Sequence, residues 1–211
     1  MLKSLLFIIL LVFLGTSCQK HKDINSIEKL VEKKLYDKAI EEAKKEKDDK
    51  LKFNYLGIIY NKKGDIKKSE EFYQKVLKID SKNFKARYNL ALLNLKIKRF
   101  KKALDILDSL SKEKPKNTDI KIKVAYCHYA LESKSNAIFI LKKIVDENRN
   151  SLKAFQWNEI AYIYKGLNRF QASAEALEYY ISTANKEKLK IDVKTINMKI
   201  NSLRATNTQG L

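Results

Sequence analysis

Nucleophilic or metal chemistry would have to come from very few side chains, because Cys18, Cys127, His21 and His128 are the only cysteines and histidines among the 211 residues. Cys127 and His128 are consecutive. On a helix, neighbouring side chains diverge by about 100°, so this thiol and imidazole do not face one another. Cys127 reads as a buried structural thiol, His128 as an ordinary helical histidine, and His21 as part of an N-terminal tether. Two cysteines cannot make a disulfide framework, and two isolated histidines do not form a metal cluster. The chain has no glycine-rich phosphate loop and no motif pairing a nucleophile with a base. The sequence predicts no catalytic residue, no metal and no cofactor, which leaves binding as the function to look for.

The elements that would present a binding surface are helices. Five Gly and one Pro are too few for the turns of a many-stranded sandwich or barrel. Abundant Lys, Leu, Ile, Ala and Glu suit helices instead. A hydrophobic content of 45% is far above that of a disordered chain, even with a formal charge of +19.

The N-terminus has a pattern of its own. Lys3 is the only charge before residue 20, and ten apolar residues from Leu5 to Leu14 lead into Gly15-Thr16-Ser17-Cys18. Ten helical residues reach roughly 15 Å, about half the hydrocarbon thickness of a bilayer, which predicts an export signal over 1–17 rather than a membrane span. The arrangement resembles a bacterial lipoprotein signal, whose cysteine becomes the acylated first residue. Here Leu14 stands one place earlier than the leucine of that family's box, and Gly15 takes its position. The resemblance implies cleavage before Cys18 and lipidation, including palmitate, of its thiol; plain secretion and an uncleaved anchor are the alternatives. Gln19 in place of the Asp that retains such proteins in the inner membrane implies the outer membrane. The tether 18–25 would keep the folded part within roughly 25 Å of the lipid.

Further along, small residues recur at a fixed interval. Gly57, Ala91 and Ala125 are 34 residues apart, as are Ser69, Ala103 and Ala137, and Ala161 and Ser173 continue both series after 36. Two inserted residues fall in the loop around Asn148 to Lys153. Large residues hold the same phase: Phe53, Leu56, Tyr60, Tyr73 and Val76 in 50–83, and Leu90, Leu107, Leu110 and Pro115 in 84–117. Val124, Leu141 and Ile144 follow in 118–151, then Trp157, Ile160, Tyr164, Leu177 and Tyr180 in 154–187.

This phasing resembles the tetratricopeptide repeat, in which small residues let two antiparallel helices approach and large ones fill the joint with the next hairpin. The resemblance implies an all-α fold, a right-handed α-solenoid of helical hairpins. Residues 26–49 read as a degenerate N-terminal hairpin, with Asn25 as candidate N-cap and Ala39 only 30 residues before Ser69. Leu189, Val193, Ile196, Ile200 and Leu203 form one stripe, which predicts a C-terminal capping helix over 188–204, followed by a disordered tail over 205–211.

In this family the first helices line a concave surface that holds peptides or partner helices. The corresponding row here is Asn54, Ile58 and Asn61, then Tyr88, Leu92 and Leu95, then Ile122, Tyr126 and Tyr129, then Asn158, Tyr162 and Lys165. Its middle is aromatic and apolar, as at an interaction site. The competing possibility is that these residues pack against neighbouring helices. A carboxylate clamp of the chaperone-binding kind is not implied: Asn89 and Lys123 fit it, but Asn54, Ile58 and Asp119 do not.

Without Lys3 the chain has 43 basic and 25 acidic residues, a charge of +18 that would favour acidic partners. Nucleic acid is not expected, because only five of the 44 basic residues are Arg and no recognition motif accompanies them. The expected protein is a lipid-anchored, non-catalytic scaffold of the cell envelope that binds proteins or peptides. The alternatives are a component resembling the tetratricopeptide lipoprotein of the outer-membrane β-barrel assembly machinery, a surface-displayed adhesin, and an enzyme whose site has no recognised motif.

Overall fold

The computed structural model describes residues 26–208, and among these there is no strand. The signal 1–17, Cys18, the tether 18–25 and the tail residues 209–211 lie outside the described residues. The helices are α1 (26–32), α2 (Tyr36–Lys44), α3 (Asp49–Lys63), α4 (Ile66–Ile79), α5 (Phe84–Lys96) and α6 (Phe100–Glu113). They continue with α7 (Thr118–Ala130), α8 (Lys134–Asn148), α9 (Ala154–Gly166), α10 (Phe170–Lys186) and α11 (Val193–Thr208). Two compact units divide between Leu93 and Asn94, inside α5.

The second helices of the hairpins each bury one stripe in a shared register. Ser69, Tyr73 and Val76 of α4, Ala103, Leu107 and Leu110 of α6, and Ala137, Leu141 and Ile144 of α8 are the buried residues. The spacing of four and three keeps each stripe on one face. First helices are buried more widely: α7 encloses Ile120, Ile122, Val124, Ala125 and Cys127, residues that point in several directions around its axis.

In the first unit, Ile27, Ala39, Ile40, Ala43, Leu56 and Ile59 form the core, and Tyr55 and Phe72 pack against it. Tyr73, 1% exposed, packs against Gly57, where an added Cβ would come within 2.5 Å of the ring. The Ser69 hydroxyl donates to the Gly57 carbonyl at 2.8 Å, fastening α4 to α3. The second unit repeats this fastening, as Ser173 of α10 donates to the Ala161 carbonyl of α9 at 2.8 Å. Its core includes Trp157, which stacks on Tyr179 with ring centroids 4.5 Å apart.

The turns inside the hairpins share one backbone device. Lys34, Gly64, Lys98, Glu132, Asn168 and Lys188 all have positive φ, and the middle four are again spaced 34, 34 and 36 residues apart. After each of these residues, the next amide reaches back to a carbonyl in the last helical turn, as Asp65 N does to Tyr60 O at 2.9 Å and Arg99 N to Asn94 O at 2.8 Å. This is the Schellman closure that usually carries glycine.

The two extra residues before the last hairpin are split between helix and loop. Helix α8 has 15 residues where α4 and α6 have 14. The loop over 149–153 is one residue longer than those over 80–83 and 114–117. The C-terminal helix differs from the range expected. Lys188, with φ 54°, ends the previous helix, so Leu189 is 48% exposed in a loop. Asp192 caps α11 by accepting from Thr195 N at 3.1 Å, and Ile196, Ile200 and Leu203 are buried. Helix α11 then runs through 205–208, four residues that the sequence pattern assigns to a disordered tail.

Candidate protein-binding groove

The row read from the sequence falls into two sets. In the first unit, Asn54 is buried at 9% exposure and its Oδ1 accepts from Asn89 Nδ2 at 3.2 Å, while Ile58, Asn61 and Leu92 are half-buried. Tyr88 is half-buried and stacks on Phe84 with centroids 6.2 Å apart. An amide bridge between α3 and α5 thus takes up two polar groups of this surface.

In the second unit, Leu95, Tyr126 and Tyr129 are half-buried, Ile122 is buried, and Asn158, Tyr162 and Lys165 are exposed. The lining includes Leu95, Ile122, Tyr126, Tyr162 and Ile163 around a cleft of about 560 Å³. Tyr126 is the hub of its aromatic part. Phe100 meets it edge-on at 6.0 Å, and Tyr129 and Tyr162 lie tilted at 6.2 and 6.3 Å. Burial, with smaller effects from Tyr162 and Tyr129, pushes the Tyr126 phenol above its ordinary value, so it stays neutral at physiological pH. Aromatic pairs at these distances contribute about 0.5–1.5 kcal/mol beyond their buried area.

Polar groups on α7 and α9 are tied together. Lys123 donates to Glu159 Oε1 and lies 3.6 Å from Asp119. Its charge is therefore already answered within the chain, which removes one of the two positions that fit a carboxylate clamp. Glu159 Oε2 is closed off from solvent and makes no hydrogen bond.

Besides Lys123 and Glu159, four lining or supporting residues are absent from the row read from the sequence. Ile163 completes the floor, and Phe100 buttresses Tyr126 from α6. Lys199 belongs to α11, outside the repeat, and flanks the cleft. Gly166 lies beneath the Tyr129 ring, and a Cβ there would come within 2.3 Å of the phenol oxygen. The one sequence signal for Gly166 is its phase, 36 residues after Ala130.

Cys127 is fully buried, and burial pushes its thiol up to about 12, with a smaller contribution from Asp108. A thiol held protonated in this way is a poor nucleophile. Among the described residues no cluster of three or more His, Cys, Asp or Glu side chains could hold a metal ion, and no helix is long and apolar enough to cross a membrane.

Comparison with known proteins agrees with this geometry. Residues 60–122 match the tetratricopeptide repeat family. A thermophilic tetratricopeptide protein of Thermus thermophilus superposes with a TM-score of 0.68 at 14% identity, over 88% of this chain and 98% of that one. The fold is a tetratricopeptide α-solenoid. A tetratricopeptide repeat protein from Parabacteroides merdae gives a TM-score of 0.65 at 15% identity, over 85% of this chain and 69% of its own. MamA from Desulfovibrio magneticus RS-1 gives 0.58 at 20% identity, over 79% and 93%. In sequence, the chain is 27% identical over 157 residues to the RNA polymerase-associated protein CTR9 of Saccharomyces cerevisiae, a match covering 66% of this chain. It spans 14% of the length of that protein.

Proposed function

We propose that the chain is a non-catalytic scaffold that binds a protein or peptide partner in the second unit's groove, and that an acylated Cys18 fastens it to a bacterial envelope membrane, the outer membrane being the better fit. The observation that carries the binding reading is the aromatic and aliphatic part of the cleft lining, Leu95, Ile122, Tyr126 and Ile163, with Tyr162 61% exposed at its edge. An exposed aromatic of this kind, next to a half-buried aromatic cluster and an aliphatic floor, suits partner recognition better than it suits water. The anchor reading is supported by the apolar run from Leu5 to Leu14 and by the small residues before Cys18. Two or more acyl chains make attachment stable, because each buried methylene adds about 0.8 kcal/mol.

Site-specific photocrosslinking in cells tests the groove. A crosslinker at position 162 is expected to trap a discrete partner, and the yield should fall when Tyr126 and Tyr129 are replaced together by Ala in a chain that still melts cooperatively. Retention of the same partner at the same yield would remove the groove from the function. Incorporation of labelled palmitate into the wild-type chain, absent from Cys18→Ala, tests the anchor separately.

A further inference from the structure

We propose that the groove of the second unit takes an extended acidic peptide segment with an aromatic or branched aliphatic side chain, its carboxylates meeting Lys165 and Lys199. This rests on the protein-binding reading above and narrows it to one class of partner.

The shape comes first. A second depression of about 480 Å³, walled by Phe170, Met198 and Leu203 among others, shares Asn158, Tyr162 and Lys199 with the 560 Å³ cleft. Tyr162 is therefore a ridge between two hollows, each large enough for an apolar side chain. Alternate side chains of a strand point to opposite faces and recur about 6.6–7 Å apart on one face, which suits anchors seated on either side of such a ridge. With packed helices about 8–10 Å apart, the path from α7 across α9 to α11 is roughly 20 Å, the length of about six extended residues.

Charge then selects among occupants. Lys123 is neutralised by Glu159 and Asp119. Lys165 and Lys199 form no ion pair with a described residue, and both flank the depression beside Tyr162. The site presents two cations held in no ion pair over an apolar floor, in a chain whose formal charge is +19. A second copy of the chain would bring the same sign and be repelled. A single-stranded nucleic acid would bring phosphates to the lysines but no aliphatic side chain to the floor of Leu95, Ile122 and Ile163. A peptide supplies carboxylates for the lysines together with an apolar side chain for the floor of Leu95, Ile122 and Ile163.

Selection from a randomised peptide library on the folded chain tests the proposal. Enriched peptides are expected to carry net negative charge and at least one Phe, Tyr, Leu or Ile. Their binding should weaken about tenfold in K165E/K199E, weaken in Tyr162→Ala, and fall as salt rises. Neutral or basic winners that are still lost in Tyr162→Ala would overturn the acidic partner and leave the groove standing. Winners indifferent to Tyr162→Ala, or no enrichment at all, would overturn both readings. An oligothymidine that binds more tightly than the selected peptides, and is lost in K165E/K199E, would also overturn the proposal. All three positions are exposed, so retained circular dichroism and melting temperature in each variant separate lost binding from lost folding.

Discussion

Replacing Gly57 by Ala sets two effects of known sign against each other. Gly57 is inside α3, where alanine is favoured over glycine by about 1 kcal/mol on helix propensity alone. The new methyl group, however, would fall 2.5, 2.7 and 3.0 Å from three carbons of the Tyr73 ring. That ring is 1% exposed and cannot swing into solvent, so the clash has to be relieved by moving α4 away from α3. Overpacking of this kind costs about 1–3 kcal/mol, and here it also strains the Ser69 bond to the Gly57 carbonyl. We expect a net loss of about 0–2 kcal/mol, read as a lower urea midpoint by far-ultraviolet circular dichroism. The matched control is Tyr73→Leu. In that background the methyl enters vacated space, so Gly57→Ala should become neutral or stabilising, with a coupling of at least about 1 kcal/mol between the two sites. If Gly57→Ala raised the midpoint with Tyr73 in place, the close approach of α3 and α4 would not depend on the missing side chain.

Three further outcomes follow from the same packing. Lys98 holds φ 59° where Gly64 holds φ 94° in the preceding hairpin, so Lys98→Gly should stabilise the chain by about 0.5–1 kcal/mol, whereas Gly64→Ala should destabilise it; equal and opposite results would refute the strain argument. Burial raises the Cys127 thiol and the Tyr73 phenol to about 12 from 9.0 and 10.0, so the folded chain keeps protons that the unfolded chain loses. Stability from these groups is complete below about pH 9 and falls as pH rises toward 12, by about 1.4 kcal/mol per pH unit for each group in its window. A urea midpoint that is flat from pH 8 to 11 would contradict this, and Cys127→Ala should delay the onset by about one unit. Gly166→Ala should displace the Tyr129 ring and lower the melting temperature, but add little to the loss already caused by Tyr129→Ala; additive losses would show that the two residues do not meet.

What was legible in the sequence is what packing enforces at short range. Ser69 and Ser173 bond to a backbone carbonyl of the preceding helix, Ala103 and Ala137 are fully buried at the same phase, and this run of small residues marks every full hairpin. The turns were not legible, because Lys98 and Glu132 adopt positive φ without being the glycine that would announce it. Nor were the limits of α11. Leu189 and Val193 continue the apolar spacing of Ile196, Ile200 and Leu203, yet Lys188 and Asp192 close one helix and cap the next between them. In the groove, the exposed set of Asn158, Tyr162 and Lys165 followed from helical geometry. Lys199 did not, since it comes from outside the repeat and only the fold brings it alongside Tyr162.

The outward flank of α11 has a consequence for growth of the array. Hairpins that stack through like surfaces have no intrinsic stopping point, and a bare apolar end would recruit another molecule head to tail into an open fibre. Helix α11 turns Ile196, Ile200 and Leu203 inward and leaves Lys194, Asn197, Asn201 and Arg204 facing water. It covers the C-terminal end of the second unit with a mainly polar face, broken by Val193 and Met198, while its Lys199 side chain borders the groove.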